Sequence, residues 1–459
     1  MKKSIEITKG SIFKNLFLFT VPIILTGVLQ LCYNAADVIV VGRYAGSSSL
    51  AAVGSTSSLM ELMTNLFIGL SVGTNVCVAQ YFGISGENAD RAIKKTVHTS
   101  IMIALICGIG LMAAGCIFSK KFLFLMSTPD DIIDEAARYM RLLFCGMPAS
   151  LVYNFGAATL RAAGDTKHPL IFLSIAGVVN IFLNLLFVIV FRMGAEGVGT
   201  ATLISEYISA GLTMCFLARM DGPCKFSVKE MKMDFQTFWR ILKIGIPAGL
   251  QGVLFGISNV QIQSSVNQFG SLAIAGNSAA ANIEGFAFIS MLSMQHSLTT
   301  FVGQNVGAGK KERMNKIILT GCFQVTVIGI LVSYGILYFI RPLLRLYIPT
   351  DPAALEFGVQ RSSIILPTYF LCGLMNAFVG AIRGMGSSFT PMCVSVLGIC
   401  VYRLVWIQTA FVRDRTLHCL YLSYPISWIL TAVVLGIICA IFVIKFKKGH
   451  LNVNKMLKV

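Results

Sequence analysis

Apolar residues run through this chain in stretches of about twenty or more, broken by short clusters of charge. A helix rising 1.5 Å per residue needs about twenty apolar residues to cross a hydrocarbon core of about 30 Å. Twelve stretches qualify, with approximate limits 14–41, 50–82, 96–118, 139–161, 169–192, 197–218, 243–268, 271–306, 316–341, 360–383, 388–412 and 418–445. Pro169 to Phe191 and Ile317 to Ile340 contain no charged residue. The second and eighth stretches are longer than a bilayer requires, so those helices are expected to tilt or to project into water. The first apolar stretch, Leu16 to Val41, follows Met1-Lys2-Lys3. It is too long for a signal-peptide core and no small-residue cleavage site ends it, so it is expected to stay as the first membrane helix. The pattern predicts an all-α polytopic membrane protein of twelve transmembrane helices.

Composition narrows the class further. Of 459 residues, 56% are hydrophobic and only 12% charged, with a mean hydropathy of +0.77, whereas soluble domains carry about 25% charged residues. A soluble enzyme and a disordered chain are both excluded. The net charge of +17 would suggest nucleic acid on a soluble domain. Here the basic residues lie between apolar runs, so membrane lipids, and no nucleic acid, are the expected partners. If the N-terminus is cytoplasmic, 25 of the 37 Lys and Arg fall on that side and 11 on the other, with Arg403 inside a span. That bias predicts a multi-pass protein of the cell membrane with both termini in the cytoplasm. Most of the thirteen cysteines lie in apolar runs and no CxxC pair occurs, so neither a disulfide framework nor a metal site is expected. The phosphate-binding pattern G-x-x-x-x-G-K-[ST] is absent, so ATP is not the expected fuel and no cofactor is predicted.

The two halves of the chain resemble each other. Phe19-Thr20-Val21-Pro22 answers Ile244-Gly245-Ile246-Pro247, and Val78 to Gly83 answers Val302 to Gly307. Leu160-Arg161-Ala162-Ala163-Gly164 answers Ile382-Arg383-Gly384-Met385-Gly386, and Pro169 answers Pro391. Six spans per repeat return the chain to its starting side, which predicts two pseudo-symmetric six-helix lobes with a substrate path between them. The expected divisions are an N-terminal lobe over 1–218, a basic cytoplasmic linker over 219–243, and a C-terminal lobe with a short tail over 244–459.

Four segments carry a more specific likeness: Asp37 to Arg43 (DVIVVGR), Val78 to Gly83, Leu160 to Thr166 (LRAAGDT) with Pro169, and Phe301 to Gly309 (FVGQNVGAG). In this order on a duplicated twelve-span frame, they resemble the MATE family of multidrug and toxic compound extrusion antiporters over nearly the whole chain. The resemblance implies a V-shaped pair of lobes and a monomeric transporter, not an enzyme. It implies export of organic, cationic and amphipathic small molecules by alternating access, driven by protons or sodium as the coupling ion. It also implies a cation site formed by Asp37, Asn180, Asn184 and Thr202. The position of Asn184 usually holds Asp in proton-linked relatives. Gln251 and Asn376 stand near places where some sodium-linked relatives carry Glu and Asp. Both departures remove a carboxylate, which gives Asp37 more weight and favours protons over sodium.

Four acids lie within the predicted spans: Asp37, Glu61, Glu206 and Glu284. A charge at mid-membrane costs roughly 2.5–3.5 kcal/mol on insertion scales, so such residues face a bundle interior or a watery cavity. Helix counting places all four in the outer half or near the middle, where they are expected to share an outward-opening cavity. Asp37 is the expected coupling acid, with Pro22 offering a bend in the same helix. The competing reading pairs Asp37 with Arg43. Asn180, Asn184 and Thr202 either orient Asp37 or make ordinary interhelical hydrogen bonds. Glu206, Glu284 and Glu61, with Gln251 and Asn376, are candidates for contacting substrate; alternatively Glu206 and Glu284 pair with Arg403 or His296. Arg161 and Arg383 sit at matching helix ends and are expected to be structural. The principal alternative function is a lipid-linked saccharide flippase of the same superfamily, for which a cationic cavity would be expected.

Overall fold

A computed structural model describes residues 5–84, 86–126, 128–349 and 351–450. The basic residues counted at the extreme termini, Lys2, Lys3, Lys455 and Lys458, lie outside the described residues. Among the described residues, twelve helices are long and apolar enough to cross a membrane: α1 (Ile12–Tyr44), α2 (Ser48–Gly83), α3 (Glu87–Leu125), α4 (Ile133–Ala162), α5 (Lys167–Val190), α6 (Gly194–Arg219), α7 (Phe235–Phe269), α8 (Ser271–Gly307), α9 (Lys311–Tyr338), α10 (Pro352–Gly384), α11 (Phe389–Arg413) and α12 (Leu417–Lys447). Each answers one of the predicted spans. Several run further than the apolar stretch did. Helix α3 begins at Glu87 because helical hydrogen bonding continues through a polar first turn whose Glu87 and Asp90 suit a helix N-terminus. In α1 only 22% of the most apolar window is buried within the protein. So large an apolar surface left uncovered by the protein itself befits a multi-pass membrane protein.

The chain forms two compact units. The first holds Leu25–Gly245; the second holds Ile5–Ile24 together with the chain from Ile246 onward. The expected lobe boundaries, 1–218 and 244–459, therefore need correcting for α1 and α7. The first half of α1 belongs to the second unit and the first half of α7 to the first. The divisions fall close to Pro22 and Pro247, each lying inside its helix where a backbone donor is missing and a bend is cheap.

Packing explains the exchange. In the second unit, Thr20 donates to Ser297 Oγ at 2.8 Å, the Phe19 and Phe301 rings meet edge to face at 5.4 Å, and Gln324 donates to the Phe13 carbonyl at 2.7 Å. In the first unit, α7 lies so close to α2 that a Cβ on Gly73 would stand 2.2 Å from the Ile241 carbonyl oxygen. Arg240 binds Gln80 Oε1 at 2.7 Å and the Tyr81 hydroxyl, with its guanidinium over the Tyr81 ring. The duplication also shows in the backbone. Gly46 and Gly270, Gly86 and Gly309, and Gly164 and Gly386 form three repeat-related pairs, all with positive φ at turns between helices.

The linker is shorter than the expected 219–243, because Asp234 caps α7 and starts it at Phe235. Its carboxylate accepts from the Thr237 backbone at 2.9 Å and the Thr237 hydroxyl at 2.8 Å. The linker is held along α3 by Lys94–Glu230 at 2.6 Å and Lys95–Asp234 at 3.2 Å. The His98 ring stacks on Phe226.

Candidate functional site

Inside the first unit three helices present stripes spaced i, i+3, i+4, i+7 toward one cavity. Helix α1 supplies Gln30, Tyr33, Asn34 and Asp37; α6 supplies Thr202, Ser205, Glu206 and Ser209; α5 contributes Ala176, Gly177 and Asn180. The cavity holds about 130 Å³. Two glycines make room for its walls. A Cβ on Gly177 would lie 1.7 Å from the Tyr33 ring, and one on Gly146 would lie 1.9 Å from Glu206 Oε2.

Asp37 is the centre of a polar chain. Asn184 donates to Asp37 Oδ1 and, at 3.1 Å, to Asn180 Oδ1; Asn180 donates to Thr202 Oγ1 at 3.4 Å. The structure thus brings together all four residues of the expected cation site. Asn184 is fully buried, and its own Oδ1 is enclosed without a partner. A π-helical turn, Leu186–Val190, follows directly and reorients the end of α5. Among the described residues no basic side chain pairs with Asp37, so the competing Arg43 pairing is not formed; Arg43 lies over the Tyr44 ring instead. Asp37 and Glu206 are the two acids on this cavity.

The expectation that four acids share one cavity fails for the other two. Glu61 is exposed on α2 and does not line the cavity. Glu284 belongs to the second unit, where Arg361 holds it through Nε at 3.1 Å and Nη2 at 2.8 Å, both residues being buried. Its partner is therefore neither Arg403 nor His296. Sequence reasoning missed Arg361 because it lies at the predicted start of a span, where it was counted as loop charge; α10 begins earlier, at Pro352. Gln251 and Asn376 do not join a common site. Gln251 accepts from Arg383 Nη2 at 2.9 Å, while Asn376 turns back onto the Cys372 carbonyl of its own helix. Among the described residues no group of three His, Cys, Asp or Glu is placed to hold a metal ion.

The MatE family model matches the chain twice, over residues 22–186 and 247–407. The chain belongs to the MatE family. The two matches begin at Pro22 and Pro247, so they restate the internal duplication. This transporter is similar to the probable multidrug resistance protein YoeA of Bacillus subtilis, 28% identical over 399 residues and covering 85% of each chain. It is also similar to a protein of Shewanella oneidensis named FAD transporter, 25% identical over 426 residues, covering 90% of this chain and 91% of that one. Its fold matches the solved outward-facing conformation of a multidrug resistance MATE family transporter of the MOP superfamily, with a TM-score of 0.89. That match is 20% identical and covers 98% of this chain and 99% of the other. As a MatE transporter, the protein is a multidrug efflux transporter with small-molecule substrates, not an enzyme.

Proposed function

We propose that this transporter is a secondary active antiporter that exports organic, cationic and amphipathic compounds in exchange for protons, in preference to sodium, by alternating access. It works as a monomer in the cell membrane with both termini in the cytoplasm. The observation that carries this reading is Asp37: a carboxylate on a polar cavity, bound by Asn184 and joined through Asn180 to Thr202, with no basic partner. A proton or a small cation supplies the missing counter-charge, and its arrival changes the hydrogen bonding of three helices at once. Glu206, on the same cavity, gives a cationic cargo a second anion to approach. The carboxamides Gln251 and Asn376 leave the second unit without a carboxylate at either place, which supports protons over sodium.

The test is transport in proteoliposomes under an imposed pH gradient, and separately under a sodium gradient, with ethidium as first cargo. Export driven by the pH gradient alone is expected. Export driven only by sodium would overturn the proton reading. If neither gradient moves any organic cation, the antiporter reading falls and flipping of lipid-linked saccharide becomes the assay of choice. One relative's name, FAD transporter, makes cargo charge the first variable to scan.

A further inference from the structure

A second cavity, sharing no residue with the one around Asp37, lies where α3 ends and α4 begins. It holds about 850 Å³. Its apolar walls are Ile117, Phe124, Leu125 and Ile133, and its charged groups are Lys120, Lys121, Asp130 and Asp134. Packing fixes these walls. Leu123 and Ile133 are buried in one cluster with Ala136 and Met140, and a Cβ on Gly115 would stand 1.9 Å from the Phe144 ring, so α3 and α4 are in close contact here.

Two of the four charges are matched to each other: Lys120 Nζ lies 2.7 Å from Asp134 Oδ1. The other two are not. Among the described residues, the Lys121 side chain has no ion pair or hydrogen bond, and its ammonium lies over the Phe118 ring, 5.6 Å from the centre. The Asp130 side chain has no ion pair or hydrogen bond either. The cavity thus carries one free cation and one free anion beside an apolar wall. Its depth follows from the sequence. The apolar stretch of α3 runs over 96–118, and Lys120 and Lys121 are the first charges after it. That is the level at which a span passes from hydrocarbon to headgroups. Phe124 and Leu125 are 71% and 79% exposed, apolar surface that the protein itself does not cover.

We propose that this cavity binds a phospholipid whose headgroup carries both a phosphate and a primary ammonium, as phosphatidylethanolamine does. Lys121 takes the phosphate, Asp130 takes the ammonium, and an acyl chain lies along Ile117 and Phe124. The lysine ammonium binds phosphate as a point charge, without the fixed geometry an arginine would demand, which suits a headgroup at a wet boundary. A primary ammonium donates hydrogen bonds to a carboxylate and a quaternary ammonium cannot, so a choline headgroup satisfies Asp130 less well. An anionic headgroup without an ammonium leaves Asp130 unmatched and repelled. The site goes beyond the transport reading and does not rest on it.

The test is lipid binding to the purified full-length transporter in detergent, followed by native mass spectrometry. Dioleoyl phosphatidylethanolamine, phosphatidylcholine and phosphatidylglycerol are titrated in turn. Wild type should hold the ethanolamine lipid at lower concentration than the other two. Lys121→Gln and Asp130→Asn should each weaken it about two- to fivefold, the worth of an exposed ion pair. Asp130→Asn should at the same time bind phosphatidylglycerol more tightly than wild type does, an effect that loss of a merely structural residue would not produce. Neither variant should shift the melting temperature, since neither side chain is paired within the protein. The site is overturned if wild type binds the ethanolamine lipid no better than the choline lipid, or if both variants bind it as wild type does. It is overturned as a lipid site if free phosphoethanolamine displaces the lipid at matching concentration, since the apolar wall then contributes nothing. Every readout is binding, so a failure of proton-driven export would leave this result standing.

Discussion

Asn184 gives one amide hydrogen to the Asp37 carboxylate and another to Asn180 Oδ1, while its own Oδ1 is enclosed and accepts from nothing. An enclosed acceptor without a partner costs about 1–3 kcal/mol. Two events relieve it. A small cation can sit between Oδ1 and the carboxylate, or Asp37 can take up a proton and donate it to the rotated amide. Either event ties the charge state of α1 to the orientation of a side chain on α5. This is the kind of two-state element that ion coupling needs.

Replacing Asp37 by Asn keeps the shape of the site and removes its charge. Asp37→Asn should abolish ethidium export driven by a pH gradient in proteoliposomes while the purified protein remains monodisperse and binds cargo. Asn184→Ala should leave transport measurable but move its pH profile, since a hydrogen bond to a charged group contributes about 1.5–3 kcal/mol. Undiminished pH-driven transport by Asp37→Asn would refute the coupling role.

The Glu284–Arg361 pair makes a prediction about stability. Removing one partner of a buried pair strands the other charge and costs about 3–5 kcal/mol, whereas replacing both by apolar residues of similar volume is often neutral. Glu284→Gln and Arg361→Met should each lower the melting temperature in detergent sharply, and the double variant should recover most of the loss. Additive losses would show that the two side chains act independently.

Asp37, Asn180, Asn184, Thr202 and Glu206 were legible in advance at the first unit's cavity, whereas Gln30, Tyr33, Asn34, Ser205 and Ser209 were passed over, although a signal for them was there. Gln30, Tyr33, Asn34 and Asp37 repeat at helical spacing in an otherwise apolar run, as do Thr202, Ser205, Glu206 and Ser209, and a polar stripe inside a membrane helix has few other uses. The twelve spans were readable for the same reason: apolar length is a local property. What was hidden depends on distant partners. Glu284 and Arg361 lie 77 residues apart in the chain, and Arg361 looked like loop charge because the polar first turns of α10 continue a helix past its apolar part. Likewise, the exchange of half-helices at Pro22 and Pro247 follows from what Thr20 and Arg240 touch, and neither residue announces its partner.

Close approach of α2 and α7 offers a clean contrast between two glycines on one helix. A methyl at Gly73 would lie 2.2 Å from the Ile241 carbonyl oxygen, where only backbone could give way. At Gly54 nothing stands within 4 Å. Gly73→Ala should therefore destabilise by about 1–3 kcal/mol, the usual cost of overpacking, and Gly54→Ala should be neutral or slightly stabilising through better helix propensity. Thermal melts of the two variants side by side decide the matter; equal melting temperatures would mean that α7 does not pack on α2 in this way.

The linker carries a pH dependence of definite sign. Asp234 lies outside the spans. Burial pushes its carboxyl up, but the Thr237 backbone N–H, the Thr237 hydroxyl and the Lys95 ammonium outweigh that and hold it below the ordinary aspartate range. Its folded pKa is thus lower than its unfolded value of about 3.9. The folded state binds fewer protons between those two values, so the stabilisation is complete above the unfolded value and is lost as pH falls through the folded one. Replacing the cap should cost about 0.5–2 kcal/mol near neutrality, read as faster hydrogen exchange of the first turn of α7 in Asp234→Ala. The gap between variant and wild type should close as pH falls through the lowered folded pKa of Asp234, where the wild-type carboxylate is itself protonated. A gap that persists unchanged into acid would mean that something other than the ionised Asp234 holds the start of α7 in place.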